Sequence, residues 1–406
     1  MSVRNTARRL TALVAAAGLT LALLMPSGPA FADAGFRQWV AGFRATAVAG
    51  GVSGAVYDRA MRGIEPDPIV LEKARTQPEF TAPAWDYFDN RVHDQSVANG
   101  QAMARKWKPW LDRIEARFGV DRNILLAIWS MESNYGEILK RDDIMRNVIR
   151  SLATLAYGDP QRSKYARTQL VAALKILQTG DIDESHLMGS WAGAMGQTQF
   201  IPTSYQRYAV DMDGNGRRDI WNSIPDALAT SANLLKKNGW QAGKTWGYEV
   251  TLPAGKLPGG SKTLAQWQAL GVARANGKPF RNLSDKATLK VPDGRGGPAF
   301  LMIRNFSVIK AYNNADKYAL AVGLLADEIA GGIGLVQDWQ RPFTKLSFEE
   351  RQELQKRLSE HGYYDGKFDG KIGEGSKAAI MAYQAKVGLT QDGYPSLEVL
   401  KWLRKQ

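Results

Sequence analysis

One apolar stretch with a helical period, residues 124–137, constrains the fold of this chain more than any other feature. Four of its large side chains recur at the spacing that marks one buried helix face: Ile124, Ile128, Met131 and Tyr135. Gly136 suits the left-handed backbone that closes many helices, and Asp121 is a plausible cap at the other end. The stretch therefore predicts a buried helix that ends at Gly136.

One carboxyl group, that of Glu132, lies on or beside this stripe, four residues after Ile128. It also lies in the last helical turn, where the helix dipole disfavours a negative charge. Burial and the dipole would both raise the pKa of the carboxyl, and a carboxylic acid that stays protonated near neutral pH can act as a general acid. A solvated glutamate at a helix end is the alternative that its position leaves open.

The first 32 residues have the pattern of a secretory signal peptide. Three arginines in the first nine residues precede an apolar run over 10–24, and a small-x-small cleavage site ends at Ala32. The run is too short, and too closely followed by Pro26, to predict a membrane span. We therefore expect an exported protein, cleaved near Ala32, with no membrane span in its mature form.

Charge and cysteine content narrow the classes of partner. The chain has 406 residues, a formal net charge of +13 and no cysteine. The missing thiols exclude disulfides, thiolate nucleophiles, thiolate metal sites and a lipoprotein anchor. The positive charge favours an anionic polymer or surface as partner. Nucleic acid is a poor candidate for an exported protein without a basic–aromatic recognition motif, so we expect none to bind.

Two further segments could contact a polymer. Residues 190–202 are rich in small side chains that let a backbone come close to a neighbour, and Gln199 offers an amide for hydrogen bonds. Tyr312 and Asn313 place an aromatic ring beside an amide, which suits a sugar ring and its hydroxyls. Tight packing between elements explains the first segment equally well, and an ordinary helix start explains the second.

The third candidate segment resembles the front half of a calcium loop. Oxygen-bearing side chains stand at loop positions one, three and five, followed by glycine at position six: Asp211, Asp213, Asn215 and Gly216. Position twelve is Asn222 where a bidentate glutamate is expected, although Asp226 could close a longer loop. A metal-free turn rich in Asp, Asn and Gly remains the alternative. A bound ion would be structural and would fix the helix predicted over 226–237.

The pattern of the whole chain predicts a mainly α protein of the α+β class. Helical periodicity dominates residues 33–340, except for a small β-rich insertion at about 240–306. Residues 341–345 contain Arg341 and Pro342 and are typical of a linker. Three short helices are predicted over 346–404, enough for a small independent core.

Several of these motifs occur together and in order, and they carry a resemblance. They are residues 129–136, 190–202, 211–221, 231–233 with 239–240, and 312–313 with 318–319. In these motifs, and over most of 33–340, the chain resembles the membrane-bound lytic transglycosylase B family of bacterial murein-degrading enzymes. The tail, 346–404, is similar to the common three-helix peptidoglycan-binding module. Leu234 departs from the family pattern, which often has Tyr at that position.

The resemblance implies a lysozyme-like helical catalytic core and a peptidoglycan lytic transglycosylase. Such an enzyme cleaves the β-1,4 bond between N-acetylmuramic acid and N-acetylglucosamine and leaves 1,6-anhydromuramic ends. It implies Glu132 as the single acid and base, without a cofactor for catalysis. The implied substrate contacts are Ser190, Gln199, Tyr312 and Asn313. The implied ligands of a structural Ca²⁺ are Asp211, Asp213, Asn215, the Arg217 carbonyl and Asp226.

The same resemblance implies a soluble periplasmic protein, because no cysteine is present to carry the family's membrane anchor. Its partners would be peptidoglycan glycan strands, with proteins of the cell-wall machinery as further candidates. Two other functions remain open at this point. One is a lysozyme-like muramidase that uses water, and the other is a non-catalytic peptidoglycan-binding scaffold.

Overall fold

The computed structural model describes residues 29–75, 83–255, 258–294 and 296–405, so most of the predicted signal peptide lies outside it. The α-helices are α1 (Pro29–Ala49), α2 (Gly54–Ala60), α3 (Pro68–Arg75), α4 (Ala84–Asp89), α5 (Asp94–Lys106), α6 (Lys108–Phe118), α7 (Arg122–Ser133), α8 (Val148–Gly158), α9 (Ser163–Thr179), α10 (Pro202–Tyr208), α11 (Ile224–Lys237), α12 (Leu264–Ala269), α13 (Arg304–Ile309), α14 (Asp316–Ile329), α15 (Phe348–Glu360), α16 (Glu374–Val387) and α17 (Leu397–Arg404). The strands are β1 (Arg146–Asn147), β2 (Met188–Gly189), β3 (Gly247–Thr251), β4 (Ser261–Thr263), β5 (Ala273–Arg274), β6 (Lys286–Lys290) and β7 (Ala299–Met302). Within these ranges no helix has both the length and the apolar character needed to cross a bilayer. The predicted mainly α fold with small sheets is confirmed.

Helix α7 is the central element of the large core. Its start is confirmed, because Asp121 accepts a hydrogen bond from the Asn123 backbone N at 2.7 Å. Leu125, Leu126 and Ile128 are fully buried, and the helix packs most extensively against α14. The burial of α7 that the apolar period of residues 124–131 predicts is therefore confirmed, and α7 lies inside the core.

The predicted end of this helix is wrong. Helix α7 ends at Ser133, three residues before Gly136. Asn134, Tyr135 and Gly136 follow with φ values of 50°, 58° and 89°, a run of left-handed conformations that cannot continue a helix. Tyr135 thus leaves the helix, and its ring packs edge-on against that of Trp129 with centroids 5.4 Å apart.

The β-rich insertion forms an antiparallel five-stranded sheet in the order β4-β6-β7-β3-β5. In its middle, Tyr248 of β3 pairs with Leu301 of β7. A separate apolar core lies under the sheet around Trp267 of α12, which is fully buried and donates from Nε1 to the Ala287 carbonyl at 3.0 Å. Short runs between Gly and Pro clusters at 246–252, 287–291 and 300–303 predict three strands, which correspond to β3, β6 and β7. The sequence pattern does not predict the short strands β4 and β5 or helix α12.

The last three helices, α15 to α17, surround their own core of Leu354, Leu358, Ile380 and Leu400. Their N-terminal connection, the segment 341–345 predicted as a linker, is anchored to the large domain. Arg341 forms an ion pair with Asp89 of α4 at 2.6 Å, and only 5% of its side chain is exposed.

Further contacts dock the C-terminal module on helix α4. The ring of Trp85 packs edge-on against those of Phe343 and Tyr394, with centroids 4.9 and 5.2 Å away. Lys377 of α16 pairs with Asp86 at 2.8 Å. The module is therefore packed against the larger domain by aromatic and charged contacts.

Candidate active site

The carboxyl of Glu132 lies at the C-terminal end of α7 and faces the N-terminal end of α14. The Tyr318 hydroxyl of α14 donates a hydrogen bond to Glu132 Oε1 at 2.6 Å. Burial raises the pKa of Glu132 to about 7, while the Tyr318 hydrogen bond and the positive charge of Arg91 act in the opposite direction. The residue as a whole is only partly buried, so the carboxyl is desolvated yet still reachable. The raised pKa expected from its position is present.

No second carboxylate joins Glu132 within the described part of the chain, as far as its electrostatic environment shows: Arg91 is the only charged group that shifts its pKa. Glu137, the nearest glutamate in sequence, is exposed and paired with Lys140 at 2.6 Å. Asp143 is likewise exposed and pairs with Arg141 at 2.6 Å. The arrangement differs from the pair of facing carboxyls found in most glycosidases.

Tyr318 itself belongs to a small tyrosine layer beside the acid. Burial raises the pKa of Tyr318 well above its usual value, so its hydroxyl stays protonated and remains a donor. Its ring stacks near that of Tyr312, with centroids 6.5 Å apart and planes at 12°. Tyr312 in turn donates to the Thr198 carbonyl at 2.5 Å. The structure thus brings Tyr312 to the Glu132 region, whereas its neighbour Asn313 is exposed.

The glycine-rich segment 190–202 forms the loop opposite these tyrosines. A side chain at Gly193 would collide with Leu152, and one at Gly196 would meet the Ile220 backbone at close range, so tight packing explains these two glycines. Ser190 and Gln199 stay partly accessible.

Both polar side chains of this loop already have partners in the loop. Ser190 Oγ accepts from the Ala194 N at 3.1 Å. Gln199 has a left-handed backbone with φ of 50° and donates from Nε2 to the Gly196 carbonyl at 2.9 Å. They can contact a ligand, but each already stabilises the loop.

The candidate calcium loop brings three carboxylates together. Oxygens of Asp211, Asp213 and Asp226 lie within 4.8 Å of one another, and Asp226 is fully buried. Asp226, the residue expected to close a longer loop, is thus the third member of this cluster. Asn215 Oδ1 accepts from the Arg217 backbone N at 2.9 Å, which places these two residues in the same turn.

The convergence of three acids suits a hard cation, which prefers oxygen ligands. Asp219, at loop position nine, is not part of the cluster. Its Oδ1 instead accepts from the backbone N of Trp221 and of Asn222, both at 2.9 Å.

Two residues at the site were not assigned a role from the sequence, Tyr318 and Gln197. Tyr318 lies in a helix whose other buried residues are aliphatic, so the sequence pattern indicates a residue of the apolar core. Gln197 joins two distant elements: its Oε1 accepts from Trp129 Nε1 at 3.0 Å, and its Nε2 donates to the Trp221 carbonyl at 2.9 Å. For both residues the one signal in the sequence is a polar side chain in a buried segment. That signal does not identify the hydrogen-bond partner.

A cavity of about 770 Å³ lies elsewhere, at the N-terminal end of α7. It is bounded by Asp121, by Trp240 and by Asp327 near the end of α14. Burial raises the pKa of Asp327 to about 7, and its Oδ2 accepts from Trp246 Nε1 at 3.1 Å. Glu132 does not line this cavity.

A mainly helical core with one desolvated acid, a neighbouring tyrosine layer and a glycine-rich loop defines a glycan-cleaving enzyme of the lysozyme-like class. The chain belongs to the transglycosylase SLT domain family, whose model matches residues 35–327. A second family model, a putative peptidoglycan binding domain, matches residues 348–403. The protein is therefore a peptidoglycan-cleaving lytic transglycosylase with a peptidoglycan-binding domain.

Known relatives agree in sequence and in structure. The chain is 31% identical over 251 residues to membrane-bound lytic murein transglycosylase B of Escherichia coli, which covers 61% of this chain and 68% of the relative. It matches the crystal structure of SltB3 from Pseudomonas aeruginosa in complex with NAG-anhNAM-pentapeptide at a TM-score of 0.72 and 49% identity, over 91% of this chain and 99% of that one. It also matches the Escherichia coli lytic transglycosylase Slt35 in complex with calcium at a TM-score of 0.61 and 27% identity, over 73% and 93% of the two chains.

Proposed function

We propose that Glu132 is the single acid and base of this lytic transglycosylase, and that the bond cleaved is the β-1,4 linkage between N-acetylmuramic acid and N-acetylglucosamine. The observation that carries the proposal is the Glu132 carboxyl, which burial holds near a pKa of about 7 with no second carboxylate acting on it. The anhydro sugar bound by the similar SltB3 supports a product with a 1,6-anhydromuramic end.

In the first step, Glu132 acts as the acid. Its proton passes to the bridging oxygen between the two sugars, the C1–O bond breaks, and the electron pair leaves with the oxygen. Tyr318 bonds one carboxyl oxygen, Oε1, and so directs the other oxygen toward the substrate. The substrate's own N-acetyl group, or an oxocarbenium-like state, carries the positive charge at C1.

In the second step, Glu132 acts as the base. The carboxylate formed in the first step takes the proton from the C6 hydroxyl of the muramic residue, and O6 attacks C1 to close the anhydro ring. One carboxyl suffices because it gives a proton and then recovers one, and no water is consumed. The remaining task of the protein is to hold the C6 hydroxyl where a hydrolase would hold water.

We propose that four partly or fully exposed side chains contact the glycan: Ser190, Gln199, Tyr312 and Asn313. Exposed Asn313 is free to bond a sugar hydroxyl, whereas the Tyr312 hydroxyl is already used by Thr198. Tyr312 would therefore contact sugar through its ring rather than through its oxygen.

We further propose that Asp211, Asp213 and Asp226 hold a structural Ca²⁺, completed by Asn215 and the Arg217 carbonyl. The three acids have oxygens within 4.8 Å of one another, a cation between them would relieve their mutual repulsion, and the similar Slt35 was solved with calcium. The ion would stabilise the start of α11, because Asp226 lies in its first turn. It would take no part in the chemical steps.

The same comparisons support a proposal for the site of action. We propose that the protein is exported to the periplasm and that glycan strands of peptidoglycan are its partners there. The peptidoglycan-binding family match over residues 348–403 supports this, as does the positively charged sequence.

The test of the proposed function is product analysis of purified sacculi treated with the native protein and with Glu132→Gln. We expect muropeptides with anhydro ends, each one water lighter than a hydrolysis product, from the native protein alone. Reducing-end products would instead identify a muramidase. Binding to sacculi with no muropeptide released would identify a scaffold, and an active Glu132→Gln variant would remove Glu132 from the mechanism.

A further inference from the structure

The backbone that follows Glu132 is strained in a way that calls for a restraint. Among the described residues, only three other than glycine have positive φ: Asn134, Tyr135 and Gln199. Two of them directly follow the end of α7, and the third lies in the loop that packs against it. Left-handed conformations of such residues are strained and persist only where the surroundings impose them.

The surroundings that impose this conformation converge on Gln197. Its side-chain Oε1 accepts from Trp129 Nε1 at 3.0 Å, one turn before Glu132. Its backbone carbonyl accepts from Ser133 Oγ at 2.5 Å, directly after Glu132. Ser133 Oγ in turn accepts from the Gly136 N at 2.9 Å. Glu132 is therefore bracketed on both sides by residues bound to Gln197.

Gly136 completes this arrangement through its missing side chain. A Cβ at this position would collide with Oε1 of Gln197, and φ at Gly136 is 89°. The turn after α7 can close over the Gln197 amide only because residue 136 is glycine. The predicted role of Gly136 as a helix terminator is thus replaced by a role in letting this amide approach.

The other end of Gln197 is held just as firmly. Its backbone N donates to the Ile220 carbonyl at 2.8 Å, and its Nε2 donates to the Trp221 carbonyl at 2.9 Å. Trp221 is itself fixed, since its Nε1 donates to the Met188 carbonyl at 3.1 Å. Gln197 therefore connects the exit of the catalytic helix to a rigid part of the core.

We propose that Gln197 is a positioning residue for Glu132. It holds the strained turn after α7 closed, and so keeps the Glu132 carboxyl buried and aligned with the Tyr318 hydroxyl. It touches neither the substrate nor the reacting atoms. This inference rests on the proposed function, because it requires Glu132 to be the acid.

The test compares Gln197→Met with the native protein on a soluble muropeptide, with kcat and KM measured across pH. Methionine keeps the length of the side chain but leaves Trp129 Nε1 and the Trp221 carbonyl without partners. We expect kcat to fall about ten- to a hundredfold with KM changed less than about twofold, since a shift of about 1 Å at a reacting group costs up to about a hundredfold. We also expect the alkaline limb of the kcat profile to move to lower pH, because a carboxyl that swings toward water loses its raised pKa.

Gln178→Met is the matched control. Gln178 also uses both amide atoms, accepting from the Ser53 N at 2.6 Å and donating to the Gly51 carbonyl at 3.2 Å, but it lies on α9, away from Glu132. This control should keep the native kcat and the native pH profile. Ser133→Ala removes a second link between the end of α7 and residue 197, the hydrogen bond from Ser133 Oγ to the Gln197 backbone carbonyl. Both links hold the same turn, so the double variant with Gln197→Met should lose less than the product of the two single losses.

Circular dichroism at the assay temperature shows whether each variant is folded. A folded Gln197→Met with native kcat and an unmoved alkaline limb would overturn the proposal, even if its melting temperature were lower. If that variant fails to fold, Ser133→Ala alone decides by the same two readouts. An inactive Glu132→Gln beside a fully active Gln197→Met would reject the positioning role and leave the proposed function standing.

Discussion

Two carboxyl groups at opposite ends of the α7–α14 pair have the same pKa and very different surroundings. Burial raises the pKa of both Glu132 and Asp327 to about 7. Glu132 accepts from a tyrosine hydroxyl, and its backbone leads into a strained turn. Asp327 accepts from the Trp246 indole and lines the cavity of about 770 Å³, with no strained backbone beside it.

The comparison shows that a raised pKa alone does not identify a catalytic acid. Desolvation shifts any carboxyl placed among packed helices, whatever its task. What separates Glu132 is the set of neighbours that fix its direction, namely Tyr318, Gln197 and the turn after α7. Asp327, by contrast, lines a cavity of about 770 Å³ but has fewer neighbours that fix its direction.

The largest expected effect is a loss of activity that only one of the two acids produces. Glu132→Gln should lower the rate of muropeptide release by about 10²- to 10⁴-fold, because a general acid and base is removed. Asp327→Asn keeps the shape of its site and should stay within about twofold of the native rate. A comparable loss in both variants would show that Asp327 also takes part in the chemistry, and would remove this difference between the two acids.

The next effect concerns the donors to the two carboxyls. Tyr318→Phe should lower kcat about three- to tenfold, the equivalent of one hydrogen bond. It should also shift the alkaline limb to higher pH, because the Tyr318 bond lowers the pKa of Glu132. Trp246→Phe removes the donor to Asp327 and should leave the pH profile of kcat unchanged. An unchanged profile in Tyr318→Phe would show that this hydroxyl does not control the acid.

A third effect, on stability, should be shared by the two acids. Below pH 4.5 Glu132 is protonated in the folded and the unfolded chain. Between pH 4.5 and about 7 only the unfolded chain ionises, so the free energy of unfolding decreases as pH rises. Glu132→Gln should therefore be more stable than the native protein at pH 8, by up to about 3 kcal/mol, and close to it at pH 4. Asp327→Asn should change in the same direction by less, because Asp327 is more exposed. Thermal melts at the two pH values measure both, and a native protein that outlasts Glu132→Gln at pH 8 would contradict the raised pKa.

The smallest effect concerns carboxylates that a cation would keep ionised, in contrast to the two neutral acids. Millimolar Ca²⁺ should raise the melting temperature of chelator-treated native protein by several degrees, since a ligand at a hundred times its Kd adds about 2.7 kcal/mol. Asp213→Asn should lose this rise, whereas Asp219→Asn, outside the cluster, should keep it. If the native protein shows no rise, the loop is a metal-free turn.

Sequence periodicity was sufficient to predict the large helices and strands, because the spacing of apolar residues reflects which side chains are buried. The stripe from Ile124 to Met131 predicted a buried α7, and short runs between Gly and Pro clusters predicted β3, β6 and β7. Helix ends were less readable. Asn134, not Gly136, starts the left-handed turn, because a contact with a distant loop overrides the local preference of glycine.

The candidate site divides in the same way. Glu132 could be singled out because its position relative to the apolar stripe and the helix dipole is local information. Asp226 was within reach because the loop lacked its last ligand and the next acid lay close by. Tyr318 was not, because it meets Glu132 across 186 residues and nothing near it in sequence marks that pairing.

The anchored segment 341–345 has a mechanical consequence. Because Arg341 pairs with Asp89 and Trp85 packs against two aromatic rings, the peptidoglycan-binding module is restrained against the larger domain. The distance from the peptidoglycan-binding module to Glu132 is then fixed by the fold. We expect such an enzyme to cleave glycan strands at a set distance from the point where its C-terminal module binds peptidoglycan.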